Sequence, residues 1–232
     1  MQVILAAHPR LCSFQGESTL FTWQDVFSET EQFFGLEKAA QQKLLEETDG
    51  LASFFDRIAE LMCEERGAER FIEKTPQHVH YLSAIATHFP KAKIVHMQRD
   101  GRDCFCSARD ASIPHGENVR SFARYWRRCI KARQRHGRKQ ILDVKYERLV
   151  EEPETIMQKV MAFLGEAFDP QQITPQSRGE DRRAESEKFA RLSEPIDSSS
   201  QGRWREELTE KEVESFHRIA GEQLQQTGYT LR

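Results

Sequence analysis

The stretch FPKAKIVHMQRDGRDCFCS, residues 89–107, decides how this chain is read. A turn at Phe89 and Pro90 leads into a short apolar run over residues 92–98 that reads as a strand. Arg99 closes the run. An acidic, glycine-containing turn comes next, and then a predicted helix over residues 102–111 that carries Ser107. A strand that ends in arginine and opens straight into a helix is suited to hold an anion. The helix start offers backbone N–H groups that lack intrahelical partners, together with the positive end of the dipole. Arg99 adds a planar fork matched to two phosphate oxygens, and Ser107 a hydroxyl donor.

Three other segments carry chemistry of the same kind. Upstream, FIEKTP at residues 71–76 reads as a strand end leading into a proline turn, with Lys74 at the tip. Downstream, QILDVKYERLVEEP at residues 140–153 alternates Ile141, Leu142, Val144 and Tyr146 as a strand. A short helix comes after it and is stopped by Pro153. Further on, SSSQGRWREEL at residues 198–208 is a glycine-bearing turn before Trp204, with Ser200 and Arg203 as possible anion donors.

In this order the segments resemble sulfotransferases that use 3′-phosphoadenosine-5′-phosphosulfate (PAPS), of the bacterial and tyrosylprotein type. The resemblance covers almost the whole chain. It implies that Arg99 and Ser107, eight positions apart, grip the 3′-phosphate of the cofactor, and that Tyr146 lies near its adenine. It places the turn at residues 198–203 where the family has a loop over the 3′-phosphate. Asp197, Ser198 and Ser199 stand there in place of an Arg-Lys-Gly run, which leaves Ser200 and Arg203 as donors. Lys74 matches the lysine that neutralises charge on the sulfuryl group and the bridging oxygen, an electrostatic stabilisation of the transition state. Pro76 occupies the place of the catalytic histidine of hormone and phenol sulfotransferases, so a carboxylate base is implied. Glu17, in the turn Gly16-Glu17-Ser18-Thr19, is the candidate, with Glu73 and His78 in reserve. The implied reaction is in-line sulfuryl transfer to a hydroxyl or amine of a small-molecule, carbohydrate, lipid or peptide acceptor, with adenosine 3′,5′-bisphosphate as product and no metal.

The front of the chain, MQVILAAHPRLCSFQGESTLF, resembles the segment immediately after the family's 5′-phosphosulfate loop. On this reading the first strand and that loop are expected to be missing, the chain to be N-terminally truncated, and turnover by this chain to be low. Two other functions remain open. One is a non-catalytic adenosine-bisphosphate-binding paralogue. The other is a nucleotide kinase-like phosphotransferase, which would need a Gly-x-x-x-x-Gly-Lys-Ser/Thr loop that the sequence does not contain.

The 232 residues suit one α/β domain with a sizeable core. A formal charge of −3 gives no global basic excess, so nucleic-acid binding is not expected. One local exception is RSFARYWRRCIKARQRHGRK at residues 120–139, strongly basic and helical in period. It reads as an amphipathic helix with a solvated basic face, or as the mouth of an anion site. Five cysteines without clustered spacing read neither as a disulfide framework nor as a zinc site, which points to a reducing cytoplasm. No apolar run approaches a membrane span.

The coarse layout alternates strands and helices. Helices are expected at 2–8, 51–65, 78–88, 102–111, 118–136 and 210–226, the last begun by Thr209 with Glu212 as a capping box. Strands are expected at 69–73, 92–98 and 140–145. The fold class is α/β, a P-loop-NTPase-like parallel sheet flanked by helices. Residues 166–200, polar and proline-bearing, are expected to form a flap or substrate loop.

Overall fold

The computed structural model describes residues 1–14, 16–22, 32–33, 36–111, 113, 115–137, 139–175 and 194–231. The chain divides into two compact units, Met1–Ala92 with Phe168–Pro195, and Lys93–Ala167 with Ile196–Arg232.

The first unit opens with a short helix, α1 (Gln2–Ala6), and a strand, β1 (Leu11–Ser13). A small antiparallel ladder, β2 (Gln32–Phe33) with β3 (Leu36–Glu37), precedes helices α2 (Lys38–Glu46) and α3 (Leu51–Arg66). Strand β4 (Arg70–Ile72) then lies parallel to β1, with Cys12 opposite Phe71. Helix α3 presents Phe54, Phe55, Ile58 and Met62 at helical spacing, and all four are buried with Cys12 and Leu20. Ser13 ties the two strands further, its hydroxyl donating to Ile72 O at 2.9 Å. After β4 comes a 3-10 turn, Pro76–Tyr81, and then α4 (Leu82–His88). The segment that returns to this unit begins with a 3-10 turn, Pro170–Ile173. The wholly buried Gln172 donates to Ile4 O at 3.1 Å and anchors it.

The second unit is built on β5 (Ile94–Gln98) and β6 (Ile141–Lys145), parallel and in register from Ile94 opposite Ile141 to Gln98 opposite Lys145. Helices α5 (Gly101–Asp110) and α6 (Val119–Gln134) connect them. Asp100 caps α5 by accepting from Arg102 N–H, and Asn118 caps α6 by accepting from the N–H groups of Arg120 and Ser121. Helices α7 (Tyr146–Glu151) and α8 (Pro153–Leu164) come next. The chain closes with α9 (Trp204–Glu207) and α10 (Glu210–Gln226). Phe105, Phe122, Trp126, Trp204, Phe216 and Leu224 form the heart of its core. Gly101 sits under that core. A Cβ there would lie 2.6 Å from both Phe216 and Trp126, so only glycine lets the α5 start approach them. Across the strand pair, His96 faces Asp143, and the buried Arg133 forks onto both Asp143 oxygens at 2.8 Å.

Several expectations are modified. Strand β1 was not foreseen, because three residues are too few to show a period. The helix expected over 78–88 is split at Leu82, since Pro76 starts a tight turn that ends before α4. The parallel sheet takes the form of two parallel pairs, one in each unit. Helix α10 and its capping box fall where expected, with Thr209 and Glu212 exchanging bonds. Of the expected flap at 166–200, residues 176–193 lie outside the described residues. All five cysteines are free thiols. Among the described residues no helix is long and apolar enough to cross a membrane, and no cluster has the makings of a metal site.

Candidate active site

In the second unit the site centres on Arg99, the residue after β5. Its guanidinium donates from Nη1 to Ser107 Oγ at 2.9 Å and from Nη2 to Ser200 O. It lies over the Tyr146 ring, 4.5 Å from the centroid. Its third donor nitrogen, Nε, is buried and has no hydrogen-bond partner among the described residues. A buried N–H without an acceptor is rare and costs about 1–3 kcal/mol. Arg99, Ser107, Tyr146 and Ser200, chosen from distant parts of the sequence, thus meet in one cluster. Ser200 takes part through its main-chain carbonyl.

Around this cluster the backbone is held by carboxylates that sequence reasoning missed. Glu147 accepts from Asp100 N–H at 3.0 Å with one oxygen and from the Tyr229 hydroxyl at 3.0 Å with the other. Burial, with Glu147 beside it, pushes the Tyr229 hydroxyl well above its usual pKa, so it stays a donor. Asp103 accepts from Gly202 N–H at 2.7 Å and Trp204 N–H at 3.0 Å, fixing the turn that presents Ser200 O. Burial raises the Asp103 pKa despite those two bonds. Gly202 has φ +74, a left-handed conformation natural to glycine. Glu147 stands beside Tyr146 in the Tyr-Glu segment, and that adjacency is the one sequence signal that could have found it.

Two expectations about this cluster change. At the start of α5 one backbone N–H is already taken. Asp100 accepts from Arg102 N–H at 2.9 Å, and its carboxylate is forked by the buried Arg102 side chain. Arg203 does not turn towards Arg99 at all: its guanidinium binds Glu207 and Asp110. Arg102 in turn packs over Trp204, 3.7 Å from the ring centroid.

In the first unit the candidate residues lie at the tip of β4 and in the turn at residues 16–22. Lys74 Nζ donates to Glu17 Oε1 at 2.6 Å, and each side chain is 37% exposed. The turn is nailed down by Glu73. The Ser18 and Thr75 hydroxyls each donate to Glu73 Oε1 at 2.6 Å. Phe21 N–H donates to His78 Nε2 at 3.2 Å, which leaves the proton on Nδ1, 3.0 Å from Glu73 Oε2. Burial would raise the Glu73 pKa, but the bonds from His78, Ser18 and Thr75 outweigh it, and the net shift is downward. Thr19 N–H donates to Thr75 Oγ1 at 3.0 Å while Thr19 itself sits at φ +52. A β-branched residue in that region stores about 1–3 kcal/mol of strain, and it persists because these bonds over-determine the turn. Both reserve bases, Glu73 and His78, are therefore engaged in holding the turn, whereas among the described residues Glu17 has one partner, Lys74, at one of its two oxygens.

Residues 1–170 match the family model of the Sulfotransferase family. The chain belongs to the sulfotransferase family.

Solved sulfotransferase domains share its fold. The sulfotransferase domain from the curacin biosynthetic pathway matches with a TM-score of 0.65 at 18% identity, over 100% of this chain and 93% of that one. The sulfotransferase domain from the Synechococcus PCC 7002 olefin synthase matches with a TM-score of 0.63 at 21% identity, over 94% of this chain and 88% of that one. This is the α/β, P-loop-NTPase-like fold expected from the sequence. An uncharacterized protein of Aquifex aeolicus (strain VF5) is 29% identical over 120 residues, 47% of this chain. The chain spans only 15% of that relative's length.

Proposed function

We propose that this sulfotransferase takes PAPS as donor and moves its sulfuryl group to an acceptor hydroxyl or amine. The observation that carries the reading is the Arg99 guanidinium. Two of its nitrogens are engaged by Ser107 and Ser200, and the buried Nε has no acceptor. A donor set of this kind fits a phosphate, which would give Nε the charged acceptor it lacks. Arg99 and Ser107 would hold the 3′-phosphate, with Tyr146 beside the base. When bound, PAPS supplies a sulfuryl group on a phosphate that leaves as part of adenosine 3′,5′-bisphosphate.

The residues of the first unit have separable tasks. Glu17 takes the acceptor proton, at the oxygen that Lys74 does not occupy. Lys74 offers an ammonium against the negative charge that builds on the leaving oxygen. Glu73 stays ionised and orients the turn through Ser18, Thr75 and His78.

The test is calorimetric binding to the chain as it stands. Adenosine 3′,5′-bisphosphate should bind at least tenfold more tightly than AMP, since only it carries the 3′-phosphate. Equal affinities would overturn the donor assignment.

A further inference from the structure

Two thiols of the first unit meet in a place that the Lys74 and Glu17 pair does not use. Cys12 is the middle residue of β1, and Cys63 lies in the last turn of α3. Their sulfurs are 3.2 Å apart, although 51 positions separate them in the chain. Both are free thiols. A disulfide bond is about 2.0 Å long, so the two sulfurs need to close by only about 1 Å. The backbone around them is already held. Cys63 O accepts from Ala68 N–H at 2.9 Å, and Arg10 O accepts from the N–H groups of Glu69 and Arg70 at 2.9 and 3.2 Å. Arg66 Nη1 donates to Ser13 O at 3.1 Å, so the end of α3 is tied to the end of β1 beside the sulfurs. Cys12 is 2% exposed and packed with Leu20, Phe54, Phe55 and Ile58. Cys63 is half-buried. One sulfur is thus within reach of solvent and the other stands directly behind it. That is the arrangement of an entry thiol with a resolving partner.

We propose that Cys12 and Cys63 form a redox modification site, closed to a cystine by a small-molecule disulfide and reopened by thiols. Cys63 loses its proton and attacks one sulfur of the incoming disulfide. The bond between the two small-molecule sulfurs breaks, one thiolate leaves and takes up a proton, and a mixed disulfide remains on Cys63. Cys12 then gives up its proton, its sulfur attacks the Cys63 sulfur, and the second small thiol departs with that proton. Two protein thiols lose two electrons in all, and one disulfide is reduced to two thiols. Burial, with the neighbouring Cys63 adding to it, pushes the Cys12 thiol up to about 12, so the first attack belongs to Cys63. The cystine joins α3 to β1, the strand that runs into the turn bearing Glu17. It closes a loop spanning 51 positions, which restricts the unfolded chain. The site stands independently of the sulfuryl donor and acceptor.

The experiment treats the folded full chain with oxidised glutathione, beside a sample kept in tris(2-carboxyethyl)phosphine. Remaining thiols are alkylated in denaturant and the tryptic peptides weighed. Peptides 11–38 and 58–66 should appear joined through Cys12 and Cys63. Cys104, Cys106 and Cys129 belong to the second unit and should stay alkylated as internal controls. The oxidised chain should melt about 5–15 °C above the reduced one, and dithiothreitol should reverse both changes. Cys63→Ser should melt close to the reduced wild type and show no rise under oxidation. A stable glutathione adduct on Cys63 with Cys12 still open to alkylation would overturn the proposal. So would an unmodified Cys63, or a link from either cysteine to one in the second unit. A joined pair without a rise in melting temperature would overturn the fastening of α3 to β1, as would a wild-type-sized rise in Cys63→Ser.

Discussion

Replacing Arg99 with alanine should separate ligand binding from stability. In the free protein Arg99 makes two hydrogen bonds, to Ser107 and Ser200, and covers the Tyr146 ring. Each bond from the ionised guanidinium is worth about 1.5–3 kcal/mol and the ring contact about 0.5–1 kcal/mol, a loss of roughly 3.5–7 kcal/mol. Against this, the substitution removes the buried unpartnered Nε–H, which relieves about 1–3 kcal/mol. The net destabilisation is therefore about 3 kcal/mol, which shifts the melting temperature by roughly 6–12 °C at this chain length. Binding obeys another sum. A charge-assisted bond to phosphate contributes about 1.5–3 kcal/mol, so affinity for adenosine 3′,5′-bisphosphate should fall roughly tenfold to a hundredfold. AMP, without the 3′-phosphate, should bind the variant as it binds wild type. Arg99→Lys should recover only part of the affinity, because an ammonium lacks the fork. Calorimetric titration with both nucleotides and a thermal melt decide it. Equal losses for the two ligands would refute the phosphate contact. A melting temperature lowered by more than about 20 °C would show that Arg99 holds the fold rather than a ligand.

Lys74→Ala should lower radiolabelled sulfate transfer to a panel of hydroxyl acceptors about a hundredfold to a thousandfold, yet leave adenosine 3′,5′-bisphosphate affinity unchanged. Near-normal transfer would reduce Lys74 to a strand-end lysine paired with Glu17. Glu73→Gln removes an anion that accepts three side-chain bonds, and should cost roughly 1.5–3 kcal/mol at neutral pH in urea melts. Because the folded pKa of Glu73 is lowered from 4.5, its contribution is present above that pH and is lost as pH falls through the folded value. The wild type and variant should therefore converge in acid, and a constant gap would contradict the assigned network. His217 lies 3.0 Å from Arg102, and burial together with that cation lowers its pKa from 6.5. Neutral His217 thus stabilises the fold fully above pH 6.5 and loses that contribution as pH drops through its folded value. His217→Gln keeps an acceptor for Arg102 and should flatten stability between pH 6.5 and the acid side, and an unchanged profile would place the titration elsewhere.

The sequence by itself determined the local structure and the family. The strand–Arg99–helix segment and the amphipathic period of α3 rest on neighbours a few residues apart, as does the capping of α10 by Thr209 and Glu212. Chain chemistry alone settles these. The residue types of the candidate site, Arg99, Ser107, Tyr146, Lys74 and Glu17, were legible for the same reason: they stand at the ends of readable strands and in a readable turn.

Which atoms meet was decided only by the tertiary structure. Lys74 and Glu17 were both named, but their pairing spans 57 positions and has no period to reveal it. Glu147 reaches Tyr229 across 82 positions, and Asp103 reaches Trp204 across 101. Arg203 read as a free donor, and the fold gave it Asp110, 93 positions away. The start of α5 read as an open anion site, and the fold set the Asp100 carboxylate, forked by Arg102, on one of its N–H groups. Long-range polar pairs depend on where elements pack, and packing is set by burial of the whole core. A buried polar group must find a partner, so each such position has one outcome in the folded chain and many in the sequence. The unpartnered Nε of Arg99 is the exception that the sequence could not display, because its meaning lies in the burial around it.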